Sequence, residues 1–279
     1  MYKKRIGMYS SWFGYKLKTE EQMKLIKDAG FDSVCFWWGS EGFNGPKEHQ
    51  VDSAISNNLY IDNIHMPYVW AEREISTNPT YKYASCNDFW ANNEDGEYVL
   101  KRTLECLSEC ADYEIPIAVA HITIGHNPHP ANDTGIDRIK RIIDLAERKD
   151  VIFAIENTQN PEYVEKVFEA LESDKLKFCY DSGHDRIWGN RFAELVEKYS
   201  DKLVTTHLHD NHGYNDDHLI PGDGNMDFEK LKKAFINANY QGDLMFEIIA
   251  ESEKAKTESV EEYLYRAYEA VIKIFEDHL

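Results

Sequence analysis

Four short apolar runs in the second half of the chain each close on a side chain of metal-ligand type, and helical sequence separates each run from the next. They are Phe153-Ala-Ile-Glu156, Phe178-Cys-Tyr-Asp181, Val204-Thr-Thr-His207-Leu-His209 and Leu244-Met-Phe-Glu247. Runs of this length and composition, alternating with helical patterns, predict parallel strands joined by helices. In a parallel βα array the carboxyl ends of all strands lie on one face. Residues distant in sequence then converge there, and two or three carboxylates with an imidazole make a site for a divalent cation. A single acidic residue at a strand end reads as a helix cap or a solvated charge; four in register point to a metal.

The pattern extends toward the amino terminus. Arg5–Ser10, Ser33–Trp38, Ile61–Tyr68 and Ile117–Ile122 read as the first four strands. Helices follow over Thr19–Ala29, about Glu48–Asn57, from a cap at Asp95 through Asp112, and about Gly135–Arg148. Later helices are expected at Pro161–Glu172, Arg191–Tyr199, Asp227–Ala238 and Ser259–Glu276. Gly30 stops the first helix, and Pro161 suits the first turn of another. The stretch from Val69 to Asn93 has many aromatics and no clear period, which predicts a long functional loop. Eight strand–helix units without a linker predict the α/β class, as a single (β/α)8 TIM barrel over residues 1–279.

Charge and cysteine usage narrow the function. The chain carries 50 acidic and 31 basic side chains, a net charge of −19. That balance argues against a surface built to neutralise phosphates, so nucleic acid is not an expected partner. Nor is a membrane expected, since no apolar run approaches the roughly 18 residues of a spanning helix. Cys35, Cys86, Cys106, Cys110 and Cys179 are odd in number and show no CxxC spacing. Cys106 and Cys110 fall on one helix face and read as packed rather than bridged. With no apolar stretch after Met1-Tyr-Lys-Lys-Arg-Ile, the expected location is the reducing cytoplasm.

Histidines enlarge the strand-end set. His65 closes the third predicted strand and His121 the fourth, His184 lies three residues beyond Asp181, and Asp216 and His218 occupy the loop after the seventh. Imidazoles mixed with carboxylates suit Zn, Mn, Co or Fe better than Ca or Mg.

On these residues the sequence resembles the xylose isomerase-like TIM barrels, which include sugar isomerases and epimerases, inosose dehydratases and endonuclease IV. The resemblance covers nearly the whole chain and is strongest from Phe153 to Ile249. Its epimerase branch implies one divalent ion held by Glu156, Asp181, His209 and Glu247. His207 competes with His209, because period-two alternation puts both on one face; the second histidine of the family's His-x-His pair matches His209. The endonuclease IV branch implies two more ions, one at His65 and His121 with a bridging Glu156, the other at His184, Asp216 and His218. One to three ions of Zn, Mn, Co or Fe are therefore expected. Tyr68 falls where that branch places a tyrosine beside its DNA site. His212 stands where its His-x-Asn-Asp run has the acidic residue, and the loop from His209 to Asp216 is shorter.

Two chemistries follow from the resemblance. The first is isomerisation or epimerisation of a sugar, sugar phosphate or polyol. There the cation binds two adjacent substrate oxygens and acidifies the C–H between them through an enediolate, while Glu156 and Glu247 move the proton. Glu162 resembles a substrate-binding glutamate of the epimerases, and His184, Trp12 and Trp38 are further candidates for touching substrate. Trp12, Phe13, Trp37 and Trp38 follow the first two strands, where aromatics either stack on sugar rings or pack the rim. The arginine that the epimerase branch places after strand seven has no counterpart between Asp210 and Asp227. The second chemistry is phosphodiester hydrolysis by a zinc cluster. Charge favours the first, a small-molecule carbohydrate substrate, because Arg73 and Arg186 are too few cations for a nucleic-acid backbone. A dehydratase on the same site shares the initial proton abstraction, and a barrel that only binds is the non-enzymatic reading. Gly222-Asp-Gly224-Asn225, ahead of the seventh helix, reads either as a phosphate-cradling turn or as a plain tight turn. A homo-oligomer is compatible with all of this.

Overall fold

The computed structural model describes residues 4–10, 17–39, 45–74, 82–189, 191–250 and 257–275. In chain order its elements begin β1 (Ile6–Tyr9), α1 (Thr19–Ala29), β2 (Ser33–Trp37), α2 (Lys47–Ser56) and β3 (Tyr60–His65). Next come β4 (Val69–Glu74), β5 (Tyr83–Ser85), a 3-10 turn (Cys86–Trp90), α3 (Glu94–Asp112), β6 (Ile117–Ala120) and α4 (Asp133–Lys149). Then follow β7 (Ile152–Glu156), α5 (Pro161–Ala170), β8 (Leu176–Asp181), α6 (Ser182–Trp188), α7 (Glu194–Lys198) and β9 (Leu203–His207). The last are α8 (Phe228–Asn237), β10 (Leu244–Phe246) and α9 (Val260–Phe275).

Eight strands form one sheet in the order β10-β1-β2-β3-β6-β7-β8-β9. Met8 of β1 sits opposite Phe246 on one side and Val34 on the other, both in parallel register. The two ends of the list meet through a parallel bridge between Leu208 and Phe246. Parallel strands in sequential order, joined by helices and closed from last to first, are the (β/α)8 TIM-barrel fold.

The chain divides into two compact units, Met1–Asn63 with Tyr180–Leu279, and Ile64–Cys179. In the first unit, β1 and β10 are buried along their whole length, as parallel strands covered on both faces must be. A polar cluster gathers where its strands begin. Arg5 Nε donates to Asp243 at 2.7 Å, while Asp62 accepts from Thr205 Oγ1 at 2.7 Å and from Asn63 Nδ2 at 2.8 Å. Burial, with Asp243 nearby, raises the Asp62 carboxyl to about 6.

In the second unit, α3 buries Val99, Leu100, Thr103, Cys106, Leu107 and Cys110, the three-and-four spacing of a helix with one apolar face. Cys106 and Cys110 are buried together, and all five cysteines are buried and outside any disulfide. Arg138 of α4 is also buried; its guanidinium donates to the carbonyls of Phe89 and Ala91 and to Glu97. It thereby ties the 3-10 turn to both helices.

Several expectations are revised. The supposed irregular loop from Val69 to Asn93 contains an antiparallel pair, β4 with β5, followed by the 3-10 turn. Only Trp70 of β4 is buried and the register shifts along the pair, so no period shows in the sequence. Asn93, rather than Asp95, caps α3, accepting from the N–H groups of Asp95 and Gly96. The Asp95 carboxylate is instead taken by Arg73 Nε at 2.7 Å. The third strand stops at His65 instead of reaching Tyr68, and β9 stops at His207. In place of one helix over Arg191–Tyr199 there are two short ones, because Asp181 caps α6 directly after β8 and the shorter α7 follows. Among the described residues no helix is long and apolar enough to cross a membrane.

Candidate functional site

The strand carboxyl ends carry the residues that the sequence singled out. Glu156 closes β7, Asp181 closes β8, His65 closes β3 and His207 closes β9, while His121 and Glu247 directly follow β6 and β10. They fall into a cluster in each unit.

In the second unit His65, His121 and Glu156 come together. His121 Nε2 lies 3.2 Å from Glu156 Oε1 and 3.3 Å from His65 Nε2, and His65 Nε2 is 3.5 Å from Glu156 Oε2. All three are buried. Tyr68 stacks on His121 with ring centroids 4.7 Å apart and planes 12° from parallel. His65 Nδ1 lies 2.8 Å from the carbonyl oxygen of Met66, which fixes that nitrogen as the proton donor. In the neutral ring Nε2 is then a bare acceptor aimed at carboxylate oxygens. Acceptors facing acceptors require a cation or an extra proton between them, and this donor set fits a divalent ion.

The first unit builds a larger cluster around two chain segments, Asp181–His184 and His207–His218. Asp181 Oδ1 accepts the His184 N–H at 2.6 Å as the cap of α6, and Asp181 Oδ2 lies 3.3 Å from His209 Nε2. Asp216 Oδ2 lies 3.2 Å from both His184 Nε2 and His218 Nε2, with Asp216 Oδ1 3.5 Å from His209 Nε2. The ligand atoms of His209, Asp216 and His218 lie within 4.8 Å of one another. His218 Nδ1 is 2.9 Å from the carbonyl oxygen of Glu247, so here too Nε2 is turned toward a carboxylate. Burial alone would lower the His218 pKa, but Asp216, followed by Glu247 and Asp181, raises it to about 9. Against the effect of its own burial, Asp216 is held well below the usual carboxylate range by His184 and His218.

Local sequence explains the tight fit. Ser182 Oγ accepts the His209 N–H at 3.0 Å and donates to the His209 carbonyl at 2.9 Å, and Asn211 Nδ2 donates to the Gly183 carbonyl at 3.1 Å. A Cβ on Gly183 would stand 1.9 Å from His209 Cε1, so only glycine leaves room for the ring.

Glu247 pairs with His207: Nδ1 of the imidazole is 3.2 Å from Oε2 of the carboxylate. His209 belongs instead with Asp181, Asp216 and His218, so the two histidines of the His-x-His pair serve different groups. Cys35 Sγ lies 3.9 Å from His207 Nε2, and burial pushes its thiol up to about 11. Nothing in the local pattern connects Cys35 or Ser182 with these groups, and the one signal for Gly183 is its place in Asp181-Ser-Gly-His184.

The remaining candidates are Glu162, Trp38 and Trp12. Glu162 is exposed in the first turn of α5. Trp38 is only 1% exposed, packed beside Phe36 with the Lys47 ammonium 5.0 Å from its ring centroid. Trp12, with Phe13, lies outside the described residues. The Gly222–Asn225 turn is closed from within: the N–H groups of Gly222, Gly224 and Met226 all donate to the Asp210 carboxylate, at 2.9, 3.0 and 3.0 Å. It is a tight turn filled by the protein's own anion rather than an open phosphate cradle.

A (β/α)8 fold whose strand ends carry buried imidazole–carboxylate groups able to hold a metal defines a class of metal-site barrels. Within it, the chain belongs to the xylose isomerase-like TIM barrel family, whose model matches residues 23–267. An uncharacterized protein of Methanocaldococcus jannaschii is 28% identical over 190 residues, which is 60% of this chain and 64% of that protein. An inosose dehydratase of Clostridium perfringens is 26% identical over 106 residues, 32% of this chain and 36% of the enzyme. The chain thus covers less than two thirds of the length of these curated relatives. Among solved structures, a D-tagatose 3-epimerase-like protein superposes with a TM-score of 0.73 at 18% identity, over 98% of this chain and 97% of that one. The 3-keto-D-glucoside 4-epimerase of E. coli does so with a TM-score of 0.70 at 17% identity, over 98% and 100% of the two chains. At these identities the structures establish the shared fold.

Proposed function

We propose that the protein is a divalent-metal-dependent isomerase or epimerase of a sugar, sugar phosphate or polyol, working as one (β/α)8 domain. The observation that carries this reading is the pairing of buried strand-end carboxylates with imidazoles, Glu247 with His207 and Glu156 with His121. The sugar epimerases among the structural neighbours support it. Asp181 and Glu247, with His209 or the competing His207, would hold one ion; His65 and His121 with Glu156, and His184, Asp216 and His218, would hold others. When bound, such an ion supplies Lewis acidity toward substrate oxygens beside the reacting carbon. The protein's own part is proton transfer. Glu156 and Glu247 exchange a proton with the substrate carbon, one accepting and the other returning it. His207 orients the Glu247 carboxylate for that role.

The test incubates metal-loaded protein in D2O with a panel of ketoses and polyol ketones. Deuterium at the carbon beside the carbonyl is the expected result, and loss of water after exchange would assign the dehydratase reaction named by the relative. A second reading, phosphodiester hydrolysis, draws support from the two additional imidazole–carboxylate clusters. DNA bearing an abasic site, incubated in parallel, covers it: strand cleavage without exchange in any sugar would replace the proposal.

A further inference from the structure

We infer that Arg186 binds an anionic group of the substrate, a phosphate ester or a carboxylate, and so selects acidic carbohydrates; this rests on the reading above. Arg186 lies on α6 two residues after His184 and is half-buried. Its Nη2 is 3.5 Å from Oδ1 of Asn225, a neutral amide that orients the guanidinium without cancelling its charge. No carboxylate among the described residues pairs with it. The other arginine noted near the loops, Arg73, is taken by Asp95, and Arg5, Arg138 and Arg266 likewise have acidic partners. In a chain of net charge −19, a guanidinium spared neutralisation beside the loop that carries Asp216 and His218 is a placed charge. Its planar fork of donors matches carboxylate and phosphate oxygens two at a time.

The loop around it is shaped to keep that charge in position. Gly213 has φ +85°, and a Cβ there would come within 3.3 Å of Arg186 Nη2. Any other residue would strain the backbone and crowd the guanidinium. Asn225 donates its Nδ2 to the His212 carbonyl at 3.2 Å and its backbone N–H to the Asn211 carbonyl at 3.0 Å, which turns Oδ1 toward Arg186. The backbone donors of the same loop that would otherwise attract an anion are consumed by Asp210. An anion reaching this loop therefore meets Arg186. This residue comes from the helix after β8, although the sequence between Asp210 and Asp227 contains no arginine.

The experiment measures binding of inorganic phosphate, D-glucuronate and D-fructose by titration calorimetry to the metal-loaded protein and to its Arg186→Gln and Arg186→Lys variants. Metal content is checked in each, because a bound cation also attracts anions. The expected result is a preference for phosphate or glucuronate over fructose that falls about 10- to 100-fold in Arg186→Gln, the effect of losing a charge-assisted hydrogen bond, and less in Arg186→Lys. Phosphate binding without glucuronate binding assigns a phosphate ester; the reverse assigns a sugar acid. Equal anion binding in wild type and Arg186→Gln at equal metal content, or no anion binding at all, overturns the inference. Hydrogen exchange on neutral ketoses without any such preference sinks this inference and leaves the proposed function standing. Arg186-dependent anion binding without exchange on any sugar does the opposite.

Discussion

Nδ1 of His207 lies 3.2 Å from Oε2 of Glu247, and both side chains are buried at the carboxyl ends of neighbouring strands. The contact leaves the Glu247 carboxylate little rotational freedom, as a group that must meet one substrate carbon requires. Glu247→Gln and Glu156→Gln should each lower turnover of the exchanging substrate by about 10²–10⁴-fold, the usual contribution of a general acid or base. Steady-state rates with the ketose identified by deuterium exchange provide the check. Variants as fast as wild type would remove both residues from the chemistry.

Asp181 combines two duties, capping α6 through the His184 N–H and facing His209. Asparagine caps helices about as well as aspartate but carries no charge. Asp181→Asn should therefore keep the far-ultraviolet circular dichroism of the wild type while binding less metal. Elemental analysis of the two purified proteins decides; equal metal per chain would exclude Asp181 as a ligand.

Gly183 makes room for the His209 ring, since a Cβ would stand 1.9 Å from Cε1. Gly183→Ala should displace the imidazole and weaken metal retention, with little effect on helix content. A competition titration against a chelator reads the affinity, and an unchanged titration curve would contradict the packing argument.

Asp62 provides a stability prediction far from the strand carboxyl ends. Burial and Asp243 raise its pKa to about 6 from the ordinary aspartate value of 3.8. The folded protein holds this proton more tightly than the unfolded chain. Asp62 therefore contributes nothing below the unfolded value, and stability falls as pH rises between the two values. Above the folded value the full penalty persists, on the order of 3 kcal/mol. Asp62→Asn stays neutral, so its stability relative to wild type should improve by about that amount between pH 4 and 7. Urea unfolding across that range supplies the measurement, and parallel pH profiles for the two proteins would refute the assignment.

The sequence by itself determined the alternation of strands and helices, and with it the barrel. Apolar runs such as Phe153–Ile155 and helical faces such as Val99–Cys110 are local patterns, set by the two-residue and 3.6-residue periods of the backbone. It also placed Glu156, Asp181, His209 and Glu247 at strand ends, because that follows from where each run stops, although β9 itself ends two residues earlier, at His207. What it left open was partnership. His207 and His209 are two residues apart and equivalent by period, yet one faces Glu247 and the other faces Asp181 and Asp216. Only the bridge of Leu208 to Phe246 and the clamp of Ser182 on the His209 backbone divide them. The Gly222–Asn225 turn looked open to phosphate until Asp210, twelve residues before Gly222, was seen to fill it. Arg186 gained its place only from Gly213 and Asn225. These contacts join residues that no local period relates, and tertiary packing decides them because a buried donor or charge must find its partner wherever the chain brings one.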